Sequence, residues 1–225
     1  EPHIRVFLSS VFKGMEGERE YFRARLLPEA QRICREYAVT FTLIDLRWGI
    51  TEYEMGEQMV LHRCLEEIDK SAKSPCFFIG LIGKRYGTAF GKQQIESYLT
   101  SPKAKYAHWL EEKLSDQPIG VTDLEFLYAE DIAEQNMDLK PLYYIKDDAR
   151  QSRDDLLQDQ IHRIEQFTDY LAIDGYRSPE EVGEHFLQEL REVLKAHFGS
   201  VGTFDPYERS KRAVLNEVAV EGVET

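Results

Sequence analysis

Residues 75–83 read "PCFFIGLIG", a run without a charged side chain. A strand with one wet face alternates apolar and polar residues, so a continuous apolar run suits a strand covered by helices on both faces. Similar runs stand before and after it: "HIRVFLSS" at 3–10, "VTFTLIDL" at 39–46, "KPLYYIKDD" at 140–148 and "DYLAIDGY" at 169–176. Segments of helical period lie between them. Phe22, Leu26, Ala30, Ile33 and Tyr37 share one face of 17–37, and Leu61, Leu65 and Ile68 share one face of 52–71. Pro28 falls inside the first of these and predicts a kink or break. Further helices are expected at 121–135, 153–167 and 178–199, the last with Ser178 as N-cap and Pro179 at its first position. Strand–helix alternation of this kind predicts an α/β fold, a parallel sheet of about five strands with helices on both faces. The alternation pauses at 84–120, a long insertion with a helical stretch around Ala104 to Leu114. The domain is expected to span 1–199, with 200–225 a polar linker or the start of a helix toward a region further along.

The 225 residues carry a net charge of −13, which argues against nucleic-acid binding, since that requires clustered lysine and arginine. No apolar run approaches the length of a membrane span, and with charges from Glu1 onward no signal peptide is expected. Cys34, Cys64 and Cys76 are odd in number and lack CxxC spacing, so they read as reduced, packed thiols of a cytoplasmic protein. The chain opens on Glu1 rather than Met, as expected of a piece of a longer protein.

Ligands of open parallel sheets bind beyond the carboxyl ends of the strands. The expected strands end in Ser9-Ser10, in Asp45 followed by Arg47-Trp48-Gly49, in Gly83 followed by Lys84-Arg85-Tyr86-Gly87, and in Lys146-Asp147-Asp148. Lys13, Arg47, Lys84 and Arg85 therefore share one edge with Trp48 and Tyr86. Cations beside aromatic rings suit a nucleotide, the cations on its phosphates and the rings on its base. The bland alternative is equally physical: loops of α/β folds carry glycine and charge in any case, and strand-end aromatics cap cores. Asp45 and Arg47 have a structural option too, pairing with each other or with Glu18 or Arg19 to fix the corner. There is no P-loop, no GxGxxG and no GxSxG. His62 and Cys64 lie two apart on a helix, so no metal site is expected.

The segments "VFLSSVFKGMEGEREYF", "FTLIDLRWGIT", "CLEEID", "FFIGLIGKRYG", "VTDLEF" and "PLYYIKDD" resemble, in order, the DUF4062 domain that opens large signalling proteins of the nephrocystin, telomerase-associated and NACHT–WD-repeat kind. That domain looks like a divergent relative of TIR domains. The resemblance implies a flavodoxin-like sheet and a signalling role, with self-association or other domains of the parent protein as partners. TIR domains divide into scaffolds and enzymes that cleave NAD⁺ at the nicotinamide–ribose bond, with NAD⁺ as substrate and no resident cofactor. The enzymes carry a glutamate in a W-x-x-x-E pattern, and "GVTDLEF" places Glu125 there. The tryptophan is missing, since Gly120 and Val121 stand where an aromatic is expected, and the insertion departs from a compact TIR domain.

On this reading Glu125 stabilises the cationic ribose as nicotinamide leaves, Arg47, Lys84 and Arg85 bind the diphosphate, Trp48 or Tyr86 stacks on a ring, and Ser9 and Ser10 line the floor. Glu125 also has a purely structural option. Thr122-Asp123-Leu124-Glu125 is T-x-x-E, a capping box in which Glu125 bonds back to the Thr122 amide. The adaptor alternative makes "RWGITEYE" a contact surface.

Overall fold

Among the described residues the strands run in chain order as β1 (His3–Ser10), β2 (Thr40–Ile44), β3 (Cys76–Ile82), β4 (Ala89–Phe90), β5 (Ile119–Gly120), β6 (Leu139–Lys146) and β7 (Leu171–Tyr176). The structure, a computed structural model, describes residues 2–11, 13–46, 57–73, 75–87, 89–90, 99, 105–113, 117–136, 138–166 and 169–199. Five strands form one parallel sheet in the order β2-β1-β3-β6-β7. This is the flavodoxin-like order, with its switch point between β1 and β3. The short β4 and β5 pair antiparallel, Ala89 opposite Gly120, and close the two ends of the insertion.

The helices are α1 (Glu16–Tyr21), α2 (Leu27–Glu36), α3 (Glu57–Ser71), α4 (Ala107–Lys113), α5 (Val121–Gln135), α6 (Asp155–Gln166) and α7 (Pro179–Phe198). Strand alternation divides the core into two layers. Phe7, Phe78, Tyr143 and Ile145 face α3, α5 and α6, while Val6, Leu8, Phe77, Ile79 and Tyr144 face α1, α2 and α7. Every residue of β3 is buried, as its apolar run requires.

Pro28 does not break its helix. A π-helical turn, Phe22–Leu26, joins α1 to α2, and the Leu27 amide bonds the Phe22 carbonyl five residues back. Proline has no N–H, and its ring crowds the carbonyl four residues earlier. The wider turn relieves that crowding and keeps Phe22, Leu26 and Ala30 in the core. Ser178 caps α7 by accepting from the Glu181 amide at 3.4 Å, with Pro179 at the first position as expected. Among the described residues no helix is long and apolar enough to cross a membrane.

Candidate functional site

Ser9 and Ser10 end β1, one of the two strands at the switch point, and point to opposite faces, as successive strand residues must. The Ser9 hydroxyl donates to Glu125 Oε2 on α5. Ser10 Oγ accepts from Arg19 Nε at 3.0 Å and Nη2 at 2.6 Å, while its own proton goes to the Val11 carbonyl at 3.2 Å. Arg19 also donates to the Ser10 carbonyl at 2.9 Å and to Asp45 Oδ1 at 3.3 Å. The corner is thus an Arg19–Asp45 pair, one of the two structural options open to Asp45. Arg47 and Trp48 lie outside the described residues.

The segment leading into α1 covers its side of the sheet edge. Met15 is fully buried, and its sulfur lies 2.5 Å from where a Cβ on Gly83 would sit. Glu18 reaches the ends of β6 and β7, taking Lys146 Nζ at 2.6 Å and the Tyr176 hydroxyl at 3.3 Å. Burial and then the Glu18 charge push the Tyr176 phenol well above its ordinary range. Glu18 and Arg19, adjacent in sequence, thereby tie α1 to both sides of the switch point.

The glycines of "GLIGKRYG" serve packing. A Cβ on Gly80 would meet Phe126 Cζ and Tyr143 Cδ1 at 2.6 Å, and one on Gly87, at φ +93°, would meet Val11. Gly87 takes the left-handed backbone that favours glycine. Lys84 and Arg85 are exposed at the edge and make no ion pair among the described residues. Tyr86 is enclosed. Its hydroxyl donates to Asp123 Oδ2 at 2.9 Å and accepts from the Gly120 amide at 3.1 Å. Burial and the Asp123 charge raise its phenol pKa.

Asp123 opens a buried network that sequence reasoning did not find. Its Oδ1 accepts from Gln160 at 3.0 Å and from Arg163, both on α6. Arg163 also grips Glu130, which accepts from the Tyr143 hydroxyl at 2.9 Å. Burial raises the Glu130 carboxyl above its ordinary value, against the pull of Arg163. The pairings span 13 to 40 residues, so no local spacing signals them. The network clamps the first turns of α5 between the loop after β3 and α6.

Gly120, not Thr122, is the N-cap of α5, in extended backbone at φ −83° and ψ 152°. Thr122 is the second helical residue, and Glu125 lies beyond the third position that a capping box requires. Glu125 is 1% exposed and turns to Ser9. The structure therefore unites Ser9 and Glu125, sends Ser10 to the opposite face, encloses Tyr86, and leaves Lys84 and Arg85 in solvent.

The described part of the insertion helps build the start of α5 through Gly120 and docks α4 further along. Trp109 packs edge-on to Tyr128 at 4.8 Å and donates to Asp131 at 2.7 Å. Lys113 joins Asp131 at 2.7 Å, and the Tyr106 hydroxyl donates to Asp69 at 2.8 Å. These contacts fall on α3 and on α5 one turn or more past Glu125. Among the described residues no group of histidine, cysteine and acidic side chains could hold a metal.

The chain is similar to telomerase protein component 1 of Mus musculus, 34% identical over 125 residues, which is 56% of this chain and 4% of that protein. NACHT and WD repeat domain-containing protein 2 of Mus musculus is 39% identical over 88 residues, 37% of this chain and 5% of that protein. A TPR repeat-containing protein of Dictyostelium discoideum is 33% identical over 94 residues, 42% of this chain and 5% of that protein. The chain thus spans about one-twentieth of the length of these curated relatives. No solved structure matches it significantly. The family described as "Domain of unknown function (DUF4062)" matches residues 5–191, most of the sheet and its helices, and the chain belongs to that family.

Proposed function

We propose that this chain is a TIR-like signalling domain that cleaves NAD⁺ at the nicotinamide–ribose bond when its parent protein assembles. The observation that carries the reading is the placement of Glu125. Its carboxylate leaves the helix start and lies against Ser9, at the carboxyl end of β1 beside the switch point.

Breaking the C–N bond sends its electron pair to the pyridinium nitrogen, so neutral nicotinamide leaves without a general acid. Positive charge builds on the ribose, and a nearby carboxylate stabilises it. Water then adds to the anomeric carbon and loses a proton, giving ADP-ribose. Glu125 is the carboxylate assigned, with Lys84, Arg85 and Arg47 as the cations for the diphosphate. Of the two candidate rings Tyr86 is already enclosed, so stacking falls to Trp48. The test is nicotinamide release from NAD⁺ by the concentrated or artificially oligomerised chain. Loss of release in Glu125→Gln supports the mechanism, and full activity in that variant overturns it.

A second reading, a non-catalytic adaptor, is favoured by one observation: Glu125 is closed off by the chain itself. Partners would then be other copies or other domains of the parent protein, such as the NACHT and WD repeats that name some relatives. Concentration-dependent self-association that Trp48→Ala abolishes, with folding intact and no nicotinamide release, marks this reading.

A further inference from the structure

Glu125 is aimed at the strand edge but is not open to a ligand there. It is 1% exposed, and the hydroxyl bonded to it belongs to Ser9, itself fully buried on a strand hydrogen-bonded at that point to β3. A hydroxyl donating to a carboxylate oxygen is the contact that a ribose hydroxyl makes when a glutamate holds the sugar. The chain therefore supplies, from its own strand β1, the chemical group that the substrate brings.

We infer that the Ser9 hydroxyl holds the place of the substrate's ribose hydroxyl, so that Glu125 is masked until that hydrogen bond is exchanged. The inference rests on the glycohydrolase reading of Glu125 and concerns how the same site is kept silent. Three physical points support it. A buried carboxylate without a donor is costly, so a closed site needs a group such as Ser9 opposite it. Exchanging one hydroxyl for another keeps the carboxylate hydrogen-bonded in both the closed and the loaded form, so neither strands it. The serine hydroxyl can turn to another staggered rotamer without moving β1. Tyr86, Gln160 and Arg163 clamp Asp123 two residues before Glu125, and Arg19 holds the neighbouring Ser10 on the opposite face.

The experiment compares wild type with Ser9→Ala, Ser9→Cys, Glu125→Gln and the Ser9→Ala/Glu125→Gln pair. Nicotinamide release is measured at a concentration where the chain is monomeric and again after enforced oligomerisation, alongside ADP-ribose binding by calorimetry. Removing one hydrogen bond to a charged group shifts an equilibrium by roughly tenfold or more. Ser9→Ala is therefore expected to raise monomer release and tighten ADP-ribose binding by about tenfold. Ser9→Cys, a weaker donor of similar size, should fall between, and oligomerisation should narrow the gap. Unchanged or reduced release in Ser9→Ala and Ser9→Cys, with release still abolished by Glu125→Gln, overturns the masking role alone. Release that persists in the double variant overturns the assignment of Glu125 and the masking role with it. No release and no ADP-ribose binding by any variant overturns both.

Discussion

Arg19 and Asp45 meet at 3.3 Å with side chains only 7% and 3% exposed, although α1 and the end of β2 are separated by the whole of α2. Arg19 forks between this carboxylate and the Ser10 hydroxyl and carbonyl. The pair closes the corner beside the candidate site. Removing one partner of a buried ion pair strands the other, at a cost of about 3–5 kcal/mol. Arg19→Met should lose that much stability in urea unfolding. Arg19→Lys, which keeps the charge but not the planar fork, should lose less.

Gly80 lies where the rings of Phe126 and Tyr143 stack at 4.8 Å. An alanine methyl there must push aside two buried aromatic rings. Gly80→Ala is expected to cost about 1–3 kcal/mol through overpacking, read as a lower urea midpoint at unchanged m-value. Gly17, inside α1 with nothing within 4 Å of where a Cβ would sit, supplies the contrast, and Gly17→Ala should raise stability by up to about 1 kcal/mol through helix propensity.

Glu130 should impose a pH dependence of definite sign. Its folded pKa lies above the ordinary value of 4.5 because burial disfavours the charged form. The folded state therefore holds this proton more tightly than the unfolded chain does. The stabilisation it gives is present in full below pH 4.5 and is lost as the pH rises through the elevated folded value. In Glu130→Gln that contribution disappears. The stability of the variant minus that of wild type should climb as pH increases from 4.5, measured by urea titrations at closely spaced pH values.

The cysteines should be inert while the fold persists. Cys34, Cys64 and Cys76 are all buried, and burial pushes the Cys34 and Cys76 thiols up to about 12. The thiolate is the reactive species, so almost none is present at neutral pH. A chromogenic disulfide reagent should titrate no thiol in native buffer and all three in denaturant. Fast reaction of any one under native conditions would contradict the packing described.

The elements were legible from sequence because their signals are local. The apolar run of β3 shows burial on both faces, the 3.6-residue period of Leu61, Leu65 and Ile68 marks α3, and Ser178-Pro179 marks the start of α7. The position of Glu125 at the strand edge followed from element order and family resemblance. Pro28 was legible as a disturbance, yet the choice of a π turn over a break depended on keeping Phe22 and Ala30 on the same packed face.

Sequence alone determined the order of strands and helices, and with it the edge where polar strand ends gather. Only the tertiary structure decided what those polar residues do. Thr122-x-x-Glu125 reads as a capping box in one dimension, but the antiparallel pairing of β4 with β5 delivers Gly120 to the cap, and Glu125 meets Ser9, 116 residues away. Ser9 and Ser10 read as one floor, but strand alternation sends one to α5 and the other to Arg19. The physical reason is the same in both cases. A helix or strand is specified by neighbours a few residues away, whereas a buried polar side chain finds its partner from whichever element packs over it.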